Sequence, residues 1–174
     1  MNIAMPRRVV PFLIGLLLLL SACGFHLRGY HKPTKVAQVS VYIQTDDNSD
    51  IAQSVRSQLK AGEARVMKEA ESAEYILHLG RQKLTRRVLS VSARTGKAEE
   101  YQLILTIAMA VSKPDGEIVM EKQTVSVSRD YTFSQDQALL GQSSEEDTLR
   151  RELVDQAARE VLSRLNAVTQ QSDS

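Results

Sequence analysis

The strongest constraint on this chain is one run of alternation. From Gln102 to Ser112, Leu103, Leu105, Ile107, Met109 and Val111 fall on one side, which specifies a strand with a buried face. Ile104 and Ala108 on the other side predict a central strand, covered in part on both faces. Lys113-Pro114-Asp115-Gly116 follows, a strong hairpin turn. The return strand is read from Glu117 to Tyr131. Ile118 and Met120 are in one phase and Val125 and Val127 in the other, which predicts a bulge near Lys122. A long antiparallel pair of this kind needs a cover for its apolar face, and the rest of the chain supplies two amphipathic helices.

The first helix is expected at about Asp50 to Ala61. Ile51, Ala52, Val55 and Leu59 recur at helical spacing, Asp46 to Ser49 offers N-caps, and Gly62 is a plausible C-cap. The second is read from about Glu145 to Val168. Ser144-Glu145-Glu146-Asp147 resembles a capping box, and Leu149, Leu153, Ala157, Val161, Leu165 and Val168 form one stripe. Val36 to Gln44 alternates as a half-buried strand, Ala64 to Met67 suits a short one, and an extended stretch runs from Tyr75 to Val91. Arg94-Thr95-Gly96-Lys97 is a turn. These elements predict an α+β fold with two helices packed on one face of a mixed sheet of about four strands.

The N-terminus is of a different kind. Arg7 and Arg8 precede an apolar run from Val9 to Leu20, then Ser21, Ala22 and the only cysteine, Cys23. A basic region, a short apolar core and small residues make a secretory signal peptide. The run is about 12 residues, short of the ~20 that span a bilayer. Leu20-Ser21-Ala22-Cys23 resembles the bacterial lipobox, which implies cleavage before Cys23 and acylation of its sulfur and new amino group. Residues 1–22 are then a removed signal, 23–168 a single lipid-anchored α+β domain, and 169–174 a frayed tail. With Cys23 acylated no thiol remains for a disulfide, redox motif or thiolate metal site. Loss of Arg7 and Arg8 leaves 20 basic against 21 acidic residues, which argues against a nucleic-acid partner. The residue after the cysteine is Gly24, not aspartate. The sorting rule of bacterial lipoproteins then implies the periplasmic face of the outer membrane.

Catalytic patterns are weak. His26, His31 and His78 are not spaced as a helical metal pair, and no nucleophile elbow, phosphate loop or dinucleotide fingerprint occurs. His78, opposite Leu77 and Leu79 in an alternating strand, reads as solvated or helix-packed. Neither a catalytic residue, a metal nor a cofactor is expected. A local basic segment stands out instead: Arg81, Lys83, Arg86, Arg87, Arg94 and Lys97 crowd one strand and turn. They suit an anionic partner or a charged sheet edge that deters pairing. Tyr131, Phe133, Leu139 and Leu140, before the last helix, suit a core beneath the sheet better than a contact surface.

Three segments together resemble the lipopolysaccharide-assembly lipoprotein family, LptE. They are Cys23-Gly24-Phe25-His26-Leu27-Arg28-Gly29, then Ala98-Glu99-Glu100-Tyr101-Gln102-Leu103, then Arg129-Asp130-Tyr131 followed by Gln137-Ala138-Leu139. The resemblance implies a plug inside a large outer-membrane β-barrel, LptD, whose assembly it assists, and help in delivering lipopolysaccharide to the outer leaflet. It also implies that the basic turn at Arg94, with Lys97, Arg86 and Arg87 nearby, contacts lipid A phosphates. A lysine that the family sometimes carries near the start of the last helix is unmatched, since Gly141-Gln142 stands there. The other reading is an envelope-biogenesis lipoprotein that acts as a protein-interaction module without a lipid ligand.

Overall fold

The computed structural model describes residues 39–46, 49–132 and 141–171, with the side chains of the last helix from Glu145 onward. Cys23, Phe133, Leu139 and Leu140 lie outside the described residues. The elements are β1 (Ser40–Thr45), α1 (Asp50–Ala61), β2 (Arg65–Val66), a 3-10 turn (Ala70–Ser72), β3 (Tyr75–Leu79), β4 (Lys83–Val91), β5 (Ala98–Ser112), β6 (Ile118–Thr132) and α2 (Gly141–Gln171).

The expected hairpin forms the spine of the sheet. β5 and β6 pair antiparallel from Glu100↔Thr132 to Ser112↔Ile118. The turn between them closes by a Lys113 N–H to Glu117 C=O bond of 2.8 Å, and Gly116 takes the positive φ of 92° that an L side chain resists. Met109 opposes Gln123 while Val111 opposes Met120. Two residues of β6, Glu121 and Lys122, thus stand against Ala110 alone, and this is the predicted bulge.

The other edge of β5 is shared. β3 pairs with Met109 to Ser112, and β4 with Ala98 to Thr106. The extended stretch expected from Tyr75 to Val91 is therefore two strands, broken at Gly80-Arg81-Gln82. Gly80 approaches β5 so closely that a Cβ on it would meet the Ala108 Cβ at 3.3 Å. β1 then lies beside β3, and β2 beside β1, both parallel. The sheet has six strands rather than about four. The break at Gly80 adds one, and the two-residue pairing of Arg65–Val66 with β1 adds another.

Both helices cover one face. Ile51, Val55 and Leu59 of α1 and Leu153, Ala157, Val161 and Leu165 of α2 meet Val41, Leu77, Leu103, Leu105, Ile107 and Val127 in one core. α1 begins as expected, with the Ser49 hydroxyl accepting from the Ala52 N–H. It ends at Gly62, but the left-handed residue is Glu63, φ 61°. The Glu63 N–H bonds Lys60 C=O and the Ala64 N–H bonds Leu59 C=O, the paired closure of a Schellman motif. The two helices are joined by Arg150 to Asp50 at 2.8 Å and by the Ser54 hydroxyl to Asp155 at 2.8 Å.

α2 differs at both ends from the sequence reading. It starts at Gly141, so Ser144-Glu145-Glu146-Asp147 lies within the helix and not at its cap. It also runs past Val168 to Gln171, and Thr169, expected in a frayed tail, is 1% exposed. The apolar stripe continues one residue further than its apolar side chains suggest, because the Thr169 hydroxyl bonds the Asn166 carbonyl within the helix.

Candidate functional site

The face away from the helices is polar, as alternation requires once Leu103 to Val111 turn inward. It carries Gln44, His78, Arg87, Gln102, Thr106, Ser126, Ser128 and Asp130. A chain of hydrogen bonds crosses three strands there. Arg87 donates to the Gln102 carboxamide oxygen at 2.8 Å, and the Gln102 amide donates to Asp130 at 2.7 Å. His78 lies on this open face, its Nε2 2.8 Å from the Ser112 hydroxyl, and not under a helix. Beside it is a hollow of about 200 Å³, where Gly80, Ala108 and Ala110 leave room between Asp46 and Lys122.

The predicted basic set divides. Arg86 and Arg87 are successive strand residues, so their side chains leave opposite faces. Arg86 enters the helix side, where its guanidinium lies 5.1 Å from the centre of the Tyr101 ring. Tyr101 stacks on Tyr131 at 5.5 Å, and the Tyr131 hydroxyl reaches Glu146 of α2 at 3.5 Å. Arg86 also pairs with Glu146 at 3.6 Å. Burial pushes the Tyr131 phenol above its ordinary pKa, against the opposing effect of its hydrogen bond with Arg86. That same bond is the first reason the Arg86 guanidinium is held above the usual arginine value. Arg86 thus holds α2 to the sheet, and is not grouped with Arg87. The aromatic pair behind it could have been read from the sequence, since Tyr101 and Tyr131 open and close strands joined by one hairpin.

Arg94 and Lys97 stand together at the tip of the β4–β5 turn, both exposed. The turn is rigid at its base: the Ser92 N–H bonds Lys97 C=O and the Gly96 N–H bonds Ser92 C=O, each at 2.8 Å. Gly96 supplies the positive φ, 68°. Next to the tip, β4 exposes Val88, Leu89 and Val91, with Val91 60% accessible. Cationic and apolar groups side by side can hold an anionic amphiphile, the charges meeting its head and the apolar side chains its tails. Among the described residues no cluster suited to a metal ion occurs, and no helix is long and apolar enough to cross a membrane.

Residues 36–165 match the family model LptE, lipopolysaccharide-assembly. The chain belongs to that family. It is 30% identical to the LPS-assembly lipoprotein LptE of Pectobacterium atrosepticum over 163 residues, which cover 92% of this chain and 86% of that one. The LptE lipoprotein of Photorhabdus laumondii is also 30% identical, over 94% of this chain and 88% of its own. Among solved structures, the rare lipoprotein B of Shewanella oneidensis aligns with a TM-score of 0.68 at 25% identity, over 78% of this chain and 99% of that chain. Lipoprotein B of Nitrosomonas europaea aligns with a TM-score of 0.69 at 24% identity and shares the fold. The LptE fold is therefore that of two helices on one face of a mixed, six-stranded sheet.

Proposed function

We propose that this LptE-family protein is the lipoprotein subunit of an outer-membrane lipopolysaccharide translocon. Residues 1–22 direct export and are removed, and acylated Cys23 anchors the chain to the periplasmic face of the outer membrane. The body plugs a large β-barrel, LptD, assists its assembly, and helps pass lipopolysaccharide to the outer leaflet. The role is one of binding and assembly, not catalysis. The observation that carries this reading is the family match across residues 36–165. The lipobox at Leu20 to Cys23 supports the anchor. One thioether-linked diacylglycerol and an amide-linked chain bury many methylenes, at about 0.8 kcal/mol each, enough for durable attachment. The polar open face supports a place in a wet barrel lumen.

In this reading Arg94 and Lys97 meet lipid A phosphates. An arginine–phosphate hydrogen bond is charge-assisted and can be bidentate. Arg87 lies on the open face and its charge is shared with Gln102 and Asp130, while Arg86 serves the fold. Two measurements test the proposal. The full-length lipoprotein should co-purify with the barrel from membranes, and mass spectrometry should find Cys23 as its acylated first residue. The Arg94→Glu/Lys97→Glu variant should bind lipopolysaccharide about tenfold or more weakly, because two charge-assisted bonds are lost. The loss should shrink as salt screens the exposed charges, with circular dichroism unchanged. Undiminished binding by the folded double variant would remove the turn from the ligand site and leave those charges as edge protection.

A further inference from the structure

Among the described residues the outer edge of β6 is unpaired. The Gly80 N–H bonds Ala108 C=O at 3.0 Å, so Ala108 faces β3 and β4. Residues of a strand alternate in the direction of their backbone groups. Leu105 and Ile107 therefore face β6 and bond Val127 and Val125, with which they are in register. The backbone N–H and C=O of Thr124, Ser126 and Ser128 then point outward. An independent contact agrees: the Arg164 guanidinium donates to the Thr124 carbonyl at 3.2 Å from outside the sheet. Among the described residues no strand pairs with this edge.

Free edges are usually blunted by bulges, charges or proline, because they template pairing with another chain. This one is not blunted where it matters. From Gln123 to Thr132 the register with β5 runs without a shift, and the bulges lie before it. Beside the edge runs a groove of about 560 Å³ between β6 and α2, lined by Ser126, Val127, Gln156, Arg159, Glu160 and Ser163. Glu160 is taken up by Arg164 at 3.0 Å, whereas Arg159 makes no ion pair among the described residues. A regular strand edge with a helix alongside is the arrangement that receives an extended peptide as an added strand.

We propose that the Ser126–Ser128 edge of β6, with the α2 wall at Gln156 and Arg159, receives an extended strand of the barrel partner. The incoming strand bonds the outward backbone groups of Ser126 and Ser128. It offers an acidic side chain to Arg159. The proposal rests on the barrel-plug reading and specifies which surface of the plug makes the main-chain contact.

Amide hydrogen exchange on the full-length lipoprotein, free and in its purified complex with the barrel in detergent, tests this. The Ser126 and Ser128 amides should exchange freely in the isolated chain and slow about tenfold or more in the complex, while those of Val125 and Val127 are slow in both. Ser126→Pro deletes the outward donor without touching the β5 ladder, and should weaken the complex about tenfold; Ser126→Ala, which keeps the N–H, should not. Arg159→Glu, on the exposed side of α2, gives a second reading that does not depend on how the strand tolerates proline, and should also weaken it. A complex that forms with unchanged exchange at Ser126 and Ser128 overturns the edge proposal alone. Slow exchange at both amides in the isolated chain overturns it too, since the chain then fills its own edge. Failure of the wild-type chain to bind the barrel overturns the functional reading and the edge with it.

Discussion

The two long edges of the sheet are built on opposite terms. β4 is apolar yet guarded. It exposes Leu84, Val88, Leu89 and Val91, but its register with β5 shifts twice between Val88 and Val91, and Lys83, Arg86 and Arg87 stud it. β6 is polar and, among the described residues, unpaired by any strand, with Ser126 and Ser128 outward along an unshifted register. Neither helix makes more than slight contact with β4, whereas α2 lies along β5 and β6. The contrast teaches that exposed apolar side chains and exposed backbone are separate hazards, and separate opportunities. β4 can offer side chains to an amphiphile while refusing a strand. β6 can accept a strand while offering little apolar surface.

The largest effect should come from proline placed in the two phases of β6. Val127→Pro removes an N–H that serves the β5 ladder and disturbs a buried position, and should cost about 3 kcal/mol or more. Ser126→Pro, one residue away, should cost only about 1 kcal/mol, the strain of fitting its fixed φ. Urea denaturation of both variants measures this, and equal losses would mean that the outward phase is misassigned.

Leu153→Ala, at a fully buried position of the α2 stripe, should destabilise by about 2–5 kcal/mol. Native-state exchange should then rise first in β6, which α2 covers, and least in β4. Uniform loosening would show that the two edges share one cooperative support.

Arg86→Ala should cost about 1 kcal/mol. It removes an exposed cation–π contact worth ~0.5–1 kcal/mol and an ion pair that solvent largely screens. Arg87→Ala, on the open face, should cost less, and thermal melts of the pair separate the two sides of the strand.

The smallest effect concerns alkaline pH. Burial raises the Tyr131 phenol above its unfolded value. Its contribution is then fully present below about pH 10, the ordinary tyrosine value, and is lost as pH rises through the higher folded one. Tyr131→Phe should accordingly reduce the fall in stability as pH rises above about 10, measured by melts at increasing pH.

Local signals carried far along this chain. Asp50–Ala61 was legible because its cap and its stripe lie within the same dozen residues. The β5–β6 hairpin was legible because alternation and the Lys113–Gly116 turn agree, and the bulge because the phase of Met120 and Val125 disagrees. The start of α2 was misread because Ser144 to Asp147 carries a good N-terminal signal that the helix overrides by beginning at Gly141. A cap preference of about 1 kcal/mol cannot hold a boundary against the rest of the element. The break at Gly80 had no strong turn signal, since its cause is the close approach to Ala108 on a strand far away in sequence.

For the candidate site the division is the same. The sequence by itself determined that a basic turn exists at Arg94 to Lys97 and that Leu20-Ser21-Ala22-Cys23 resembles a lipobox, since each depends only on neighbours along the chain. Only the tertiary structure decided that Arg86 is spent on Tyr101, Tyr131 and Glu146 while Arg87 joins Gln102 and Asp130 on the open face. It alone decided that β4 and β6 form the two long edges. Which face receives the helices and which strand lies outermost are set by pairings between residues distant in sequence, and no local preference encodes them.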